Sequence, residues 1–118
     1  MKLLPVKSII SIDDLDKLDI RVGTITLVEN IEESDKLVKL MVDFGEFTRT
    51  ILVGMKKERS NPKEIEGKQA LFVVNLAPKT MMGKYISEGM LFDIGYANGM
   101  TPVLATPEKS VPNGISAG

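Results

Sequence analysis

Short runs of apolar and β-branched residues alternate with turn residues along the whole chain, at the spacing of a small barrel or sandwich; no repeat or low-complexity stretch interrupts them. The first regular signal is SIDDLDKL, Ser11 to Leu18, which predicts a helical turn. Ser11 can cap it, Asp14 sits three residues on as the acidic partner, and Ile12, Leu15 and Leu18 share one face. A long first strand is expected from about Asp19 to Ile31, with Ile20, Val22, Ile25, Leu27 and Val28 as its apolar positions and Gly23 where it bends round a barrel corner. KLMVDFG and TRTILVG then read as a hairpin. Leu37, Lys39 and Met41 against Val38, Leu40 and Val42 are apolar on both sides except at Lys39, so the second strand should be covered on one face and partly on the other. Phe44-Gly45-Glu46 supplies the connection and Thr50 to Val53 the third strand.

Asn61-Pro62-Lys63-Glu64 is a helix start, with Asn as N-cap and Pro at the first helical position, and Gly67 ends that short helix. The most apolar run, Gln69 to Leu76, is the fourth strand, and Phe72 within it is a core residue. Between it and a fifth strand around Gly89 to Tyr96 lies NLAPKTMMGKYISEGM, Asn75 to Met90. This Pro/Lys/Gly loop ends in a small polar turn, the grammar of a binding loop. Asn98-Gly99 marks a turn before Pro102 to Ala105. The last segment, TPEKSVPNGISAG, holds two prolines and two glycines. It is expected to wrap a surface or a partner subunit rather than extend the core as a regular element. The expected fold is all-β with short helices: one domain over 1–118, with an arm and helical turn (1–18), a five-stranded barrel (19–105) and a C-terminal extension (106–118).

Composition narrows the chemistry. A chain of 118 residues buries about two-thirds of its unfolded surface, enough for one modest core. It has no cysteine and no histidine, which removes disulfides, thiol nucleophiles, imidazole bases and the usual zinc sets. The carboxylate groups Asp13/Asp14/Asp16 and Glu32/Glu33/Asp35 fall in a helix start and a loop, where they read as solvated. No phosphate-loop pattern accompanies MMGKYISEG. Neither catalysis, metal nor cofactor is expected. MKLLPVKSII lacks a signal-peptide cleavage site, and nothing approaches the roughly 18 apolar residues of a membrane span. A soluble, cytoplasmic protein is the resulting expectation.

Net charge is −1, unevenly spread: −4 over residues 1–35, +5 over 36–84 and −2 over 85–118. The ten cations of the middle third, Lys36, Lys39, Arg49, Lys56, Lys57, Arg59, Lys63, Lys68, Lys79 and Lys84, would make a phosphate-attracting face if the fold gathers them on one side, and a solvated surface otherwise. Four Phe and two Tyr are too few for base stacking to dominate, so RNA recognition would lean on shape and phosphate charge.

In this order the strand-like LDIRVGTI, the DKL at Asp35 to Leu37, the hairpin pair, the NLxPxxxMG frame of Asn75 to Gly83 and the SEGM of Ser87 to Met90 resemble the tRNA-binding OB-fold family. That family includes C-terminal domains of bacterial methionyl-tRNA synthetases and CsaA-type secretion chaperones. The resemblance covers roughly residues 14–118. It implies a non-catalytic, structure-specific tRNA-binding module auxiliary to methionyl-tRNA synthetase, or alternatively a chaperone for unfolded export substrates. The seven methionines and the VPNG of the tail suit the second reading, and RTILVG the first. It also implies a homodimer built by the N-terminal helix and C-terminal extension. Carried over, the RNA-contacting residues are Arg21, Lys36, Asn75, Lys79, Met82, Ser87, Glu88 and Met90. Each also has an ordinary structural reading: Asn75 and Ser87 as turn ties, the two Met as core fillers, and Arg21 as a partner of Asp19 or Glu29.

Overall fold

The structure, a computed structural model, describes residues 2–118. After an extended arm, Ser11 opens the helical turn α1 (Ile12–Leu15), and the expected capping box forms: the Asp14 amide donates to Ser11 Oγ at 3.1 Å while the Asp14 carboxylate accepts from the Ser11 amide. Seven strands follow: β1 (Ile20–Asn30), β2 (Val38–Asp43), β3 (Thr48–Val53), β4 (Gln69–Val73), β5 (Lys79–Met81), β6 (Tyr85–Ser87) and β7 (Met90–Leu91). Five make one antiparallel sheet in the order β3-β2-β1-β4-β7, and β5 and β6 form a separate hairpin. The large sheet curls into a nearly closed barrel. β1 serves two neighbours in succession: Ile20 to Thr24 lie against β4, and Thr24 to Asn30 against β2.

The register corrects one detail of the sequence reading. Between Ile25 and Leu27 the β1–β2 pairing skips a residue, so Thr26 is a bulge. The alternation therefore inverts there, taking Val28 inward and leaving Leu27 exposed. Gly23, expected at the bend, stands beside Thr24, where β1 passes from β4 to β2, and it also makes room for core side chains, because a Cβ there would lie 2.5 Å from Val42 Cγ1 and 2.8 Å from the Phe44 ring. Phe44 meets Phe72 edge-to-face at 5.5 Å and stacks on Phe47 at 5.1 Å. Around them pack Ile25, Leu40, Val42, Ile51, Met55 and Ala70, all essentially inaccessible.

The helix expected after Asn61 is a 3₁₀ turn, Pro62–Ile65, and Asn61 makes no side-chain capping bond. It still closes the end of the barrel. Ile65 is fully buried in the core, the Val28 amide donates to Glu66 Oε2 at 2.8 Å, and the Gly67 amide donates to the Ile25 carbonyl. β4 is shorter than the expected Gln69 to Leu76, because Asn75 and Leu76 turn out to solvent. The fifth barrel strand shrinks to the two residues of β7, followed by a 3₁₀ turn at Tyr96–Asn98 and one bridge between Ile94 and Val103.

The C-terminal extension adds backbone pairing to this chain's own sheet. Past the end of β2, the early part of β1 has a free edge, and the tail fills it: the Val22 amide donates to the Ile115 carbonyl, the Gly114 amide to the Val22 carbonyl and the Ala117 amide to the Ile20 carbonyl. Gln69 exchanges hydrogen bonds with both backbone groups of Val111, and Asn113 Oδ1 accepts from Thr24 Oγ1 and Gln69 Nε2. Gly114 has φ +88°, and a Cβ there would collide with the Phe44 carbonyl oxygen. Only glycine fits that approach.

Candidate nucleic-acid interface

Closure of the barrel sets the geometry of the site. β3 has no strand partner on its free side; it is met by the corner between β6 and β7. Ser87 Oγ accepts from the Leu52 amide at 3.0 Å and donates to the Gly89 carbonyl at 3.1 Å. Glu88 uses its carboxylate on the Thr50 amide at 2.9 Å and its own amide on the Thr50 carbonyl at 2.8 Å. The Arg49 guanidinium donates to the carbonyls of Val74 and Glu88 while lying 4.9 Å over the Phe47 ring. Side chains thus replace the missing strand pairing along a polar seam.

Beside the seam opens a groove of about 960 Å³, walled by the end of β3 with Gly54, the loop before β2, the β5–β6 hairpin and the segment from Met90 to Asn98. Its floor is apolar: Leu37 and Leu52 are buried with Ile31, and Met81 and Tyr85 pack over them. The loop before β2 is held by Lys56, whose Nζ donates to the carbonyls of Ile31 and Ser34 at 2.5 and 2.6 Å, and by Ser34 Oγ, which accepts from the Leu37 amide at 3.0 Å. A second clasp joins this loop to the hairpin. Glu33 receives Lys84 Nζ at 2.5 Å and Tyr85 Oη at 2.8 Å. Those two donors hold the pKa of the Glu33 carboxyl down at about 2, and the same contacts raise the pKa of Lys84, which keeps it charged, and of Tyr85, which keeps its hydroxyl protonated.

The hairpin departs from the sequence pattern, which reads there as a loop without strands. Met82 and Gly83 both have positive φ, +54° and +73°, and the Lys84 amide bonds the Met81 carbonyl, so the connection is a tight I′-type turn. Methionine in the first of those positions hides the turn signal.

The eight residues carried over from the resemblance fall into two groups. Lys36, Lys79, Met82 and Met90 are all exposed and all line the groove. Neither Lys36 nor Lys79 has a carboxylate partner among the described residues. The other four are engaged elsewhere. Ser87 and Glu88 build the seam. Asn75 ties the end of β4 to the segment before β1, accepting from the Asp19 amide at 2.9 Å and donating to the Lys17 carbonyl at 2.7 Å. Arg21 forms a two-pronged pair with Asp19 at 2.9 and 3.1 Å, which keeps the Asp19 carboxyl below its ordinary range. The basic middle third is likewise partly spent on the fold: Lys39, Arg59, Lys63 and Lys84 pair with Glu29, Glu64, Glu66 and Glu33.

Four groove residues escaped the sequence reading. Phe92 and Tyr96 expose their rings there, Tyr96 to 72%, and the half-buried carboxylates of Glu58 and Asp93 also line it. Tyr96 stands just before the Asn98-Gly99 turn signal, the one local hint of an aromatic held out by a turn. Among the described residues no three Asp or Glu converge as a metal site would need, and no helix is long and apolar enough to cross a membrane.

Known structures share this fold. A MetRS related protein from Pyrococcus horikoshii is 35% identical and superposes with a TM-score of 0.85 over 94% of this chain and 99% of its own. The chaperone CsaA of Bacillus anthracis is 30% identical, with a TM-score of 0.80 over 94% of this chain and all of its own, 100%. The methionine–tRNA ligase of Parabacteroides distasonis is 40% identical over 113 residues, which are 96% of this chain and 16% of that enzyme. The chain therefore spans about a sixth of the length of the curated relatives it matches. Residues 20–116 match the family model described as "Putative tRNA binding domain", and the chain belongs to that tRNA-binding family.

Proposed function

We propose that this chain is a non-catalytic module of the cytoplasm, working as one domain, that binds folded tRNA across the groove and serves a methionyl-tRNA synthetase. The observation that carries the reading is the pair Lys36 and Lys79, exposed, free of carboxylates and set on different walls of an apolar groove that is clasped through Glu33, Lys84 and Tyr85. Two cations fixed on separate walls can contact phosphates of a folded backbone, while Met82 and Met90 offer soft apolar surface to sugar or base edges. Arg21, Asn75, Ser87 and Glu88 act on RNA through the shape they maintain. Titration of unfractionated folded tRNA, with unstructured RNA of equal length as competitor, tests the reading. Saturable, salt-sensitive binding that prefers folded tRNA supports it; binding with no such preference counts against it.

The second reading, a chaperone for unfolded export substrates, draws on the apolar floor of Leu37, Leu52 and Met81. An extended peptide could bury apolar side chains there. It makes no use of Lys36 and Lys79, which is why tRNA is preferred.

The active unit is a symmetric dimer. Leu3, Val6 and Ile9 of the arm are 80%, 100% and 100% exposed, and Ile12, Leu15 and Leu18 leave the apolar face of α1 bare. So many exposed apolar side chains on one N-terminal segment suit a second copy of the chain. Light scattering at micromolar concentration should return twice the monomer mass, and a monomer would contradict the assignment.

A further inference from the structure

Glu58 and Asp93 are the unexplained feature of the groove. Each is half-buried, each lines it, and neither side chain has a hydrogen-bond or ion-pair partner among the described residues. Burial raises the pKa of both carboxyls; at Glu58 the Asp93 charge adds to this, and only Arg59, itself paired with Glu64, opposes it. Two partly desolvated acceptors lining one groove call for donors. Phe92 and Tyr96 stand on the same wall with their rings exposed, and Lys36 and Lys79 line the same groove.

We propose that this end of the groove is a nucleobase pocket selective for guanine, in which an unstacked base lies against Phe92 or Tyr96 and presents its Watson–Crick edge to Asp93 and Glu58. The proposal rests on the RNA-binding reading above and sharpens it. Guanine is the one common base with two adjacent donors on that edge, the N1–H and the N2 amine, which match paired carboxylate acceptors. Adenine and cytosine offer one amine beside an acceptor, and uracil sets its N3–H between two carbonyls. Each would turn an oxygen or nitrogen lone pair toward a carboxylate. The lysines take the flanking phosphates, so the cations and the acceptors of the groove serve different parts of one nucleotide. Asp93, with no cation beside it, is the main specificity residue.

The test uses the full chain, isotopically labelled, titrated separately with GMP, IMP, AMP, CMP and UMP while amide shifts are followed by NMR. GMP is expected to move the amides of Phe92 to Asn98 and of Glu58. IMP, lacking the N2 amine, should bind about tenfold more weakly, the size of one lost paired contact. Asp93→Asn and Glu58→Gln should each abolish the preference for GMP. Asp93→Asn should in addition gain affinity for XMP, because an amide can donate to the carbonyl that replaces the amine, a gain no loss of folding can mimic. Equal shifts with all nucleotides, an unchanged GMP to AMP ratio in Asp93→Asn, or shifts at these amides from an extended Lys/Leu peptide but not from GMP would overturn the proposal. A parallel tRNA titration separates the two layers. Wild-type protein that holds folded tRNA but shows no base preference sinks the pocket alone. A preference for GMP without tRNA binding keeps the pocket and sinks the tRNA reading.

Discussion

The seam and the groove adjoin one another and use polar residues in opposite ways. Along the seam, Ser87, Glu88 and Arg49 turn their side chains inward and bond backbone groups of Leu52, Thr50 and Val74. Ser87 is only 4% exposed. Across the groove, Lys36 and Lys79 are open to water without carboxylate partners, and Glu58 and Asp93 keep free acceptors. One set completes a barrel that lacks a strand-to-strand contact; the other is available to a ligand. On the proposed reading, Ser87 and Glu88 would serve RNA only through the shape they maintain, whereas Lys36, far away in sequence, would supply a contact.

Breaking the seam should give the largest effect on stability. Ser87→Ala leaves the Leu52 amide buried without its acceptor, at a cost of about 1–3 kcal/mol. Denaturant unfolding would show it as a lower midpoint, and the protein that remains folded should retain its tRNA affinity. Lys36→Ala and Lys79→Ala should do the reverse. Each should reduce the slope of log affinity against log salt by about 1, with stability changed by no more than about 0.5 kcal/mol. A stability loss in these variants, or an RNA loss in Ser87→Ala at full folding, would erase the distinction between the two regions.

Acid should reach the groove clasp before the hydrophobic core. The Glu33 carboxyl sits at about 2 in the fold against about 4.3 in an unfolded chain. A depressed value means that its stabilising contribution is complete above about pH 4.3 and is lost as pH falls toward about 2. Melting temperature measured across that window should fall less steeply for Glu33→Gln than for wild type. The difference should shrink with added salt, because the pair with Lys84 is exposed. The smallest effect is expected at the hairpin tip, where Met82 holds φ +54°. Asparagine prefers that position of a I′ turn, so Met82→Asn should stabilise by about 0.5 kcal/mol. It should also weaken tRNA binding if the methionine touches RNA.

What the sequence made legible follows distance along the chain. The capping box of Ser11 and Asp14, the two-sided burial of β2 and the core role of Phe72 depend on near neighbours, and each was readable. The bulge at Thr26 carries no glycine and so gave no signal. The tail's pairing with β1 requires knowing that β2 stops short of Val22, and the groove brings Glu58, in a loop after β3, and Asp93, after β7, into one lining. Those arrangements are set by tertiary closure, which local pattern does not encode. Of the residues carried over from the resemblance, Lys36, Lys79, Met82 and Met90 line the groove while Arg21, Asn75, Ser87 and Glu88 are bonded within the fold, a division that the motif pattern does not encode.

The most direct test is a comparison of tRNA binding by wild type, the Lys36→Ala/Lys79→Ala double variant and Ser87→Ala, each titrated with unfractionated folded tRNA at several salt concentrations and at a temperature where all three are folded. The account predicts salt-dependent binding for wild type and Ser87→Ala with the same slope, and a slope shallower by about 2 with weaker binding for the double variant. Equal affinities and slopes for wild type and the double variant would contradict it and place the RNA on another face of the barrel.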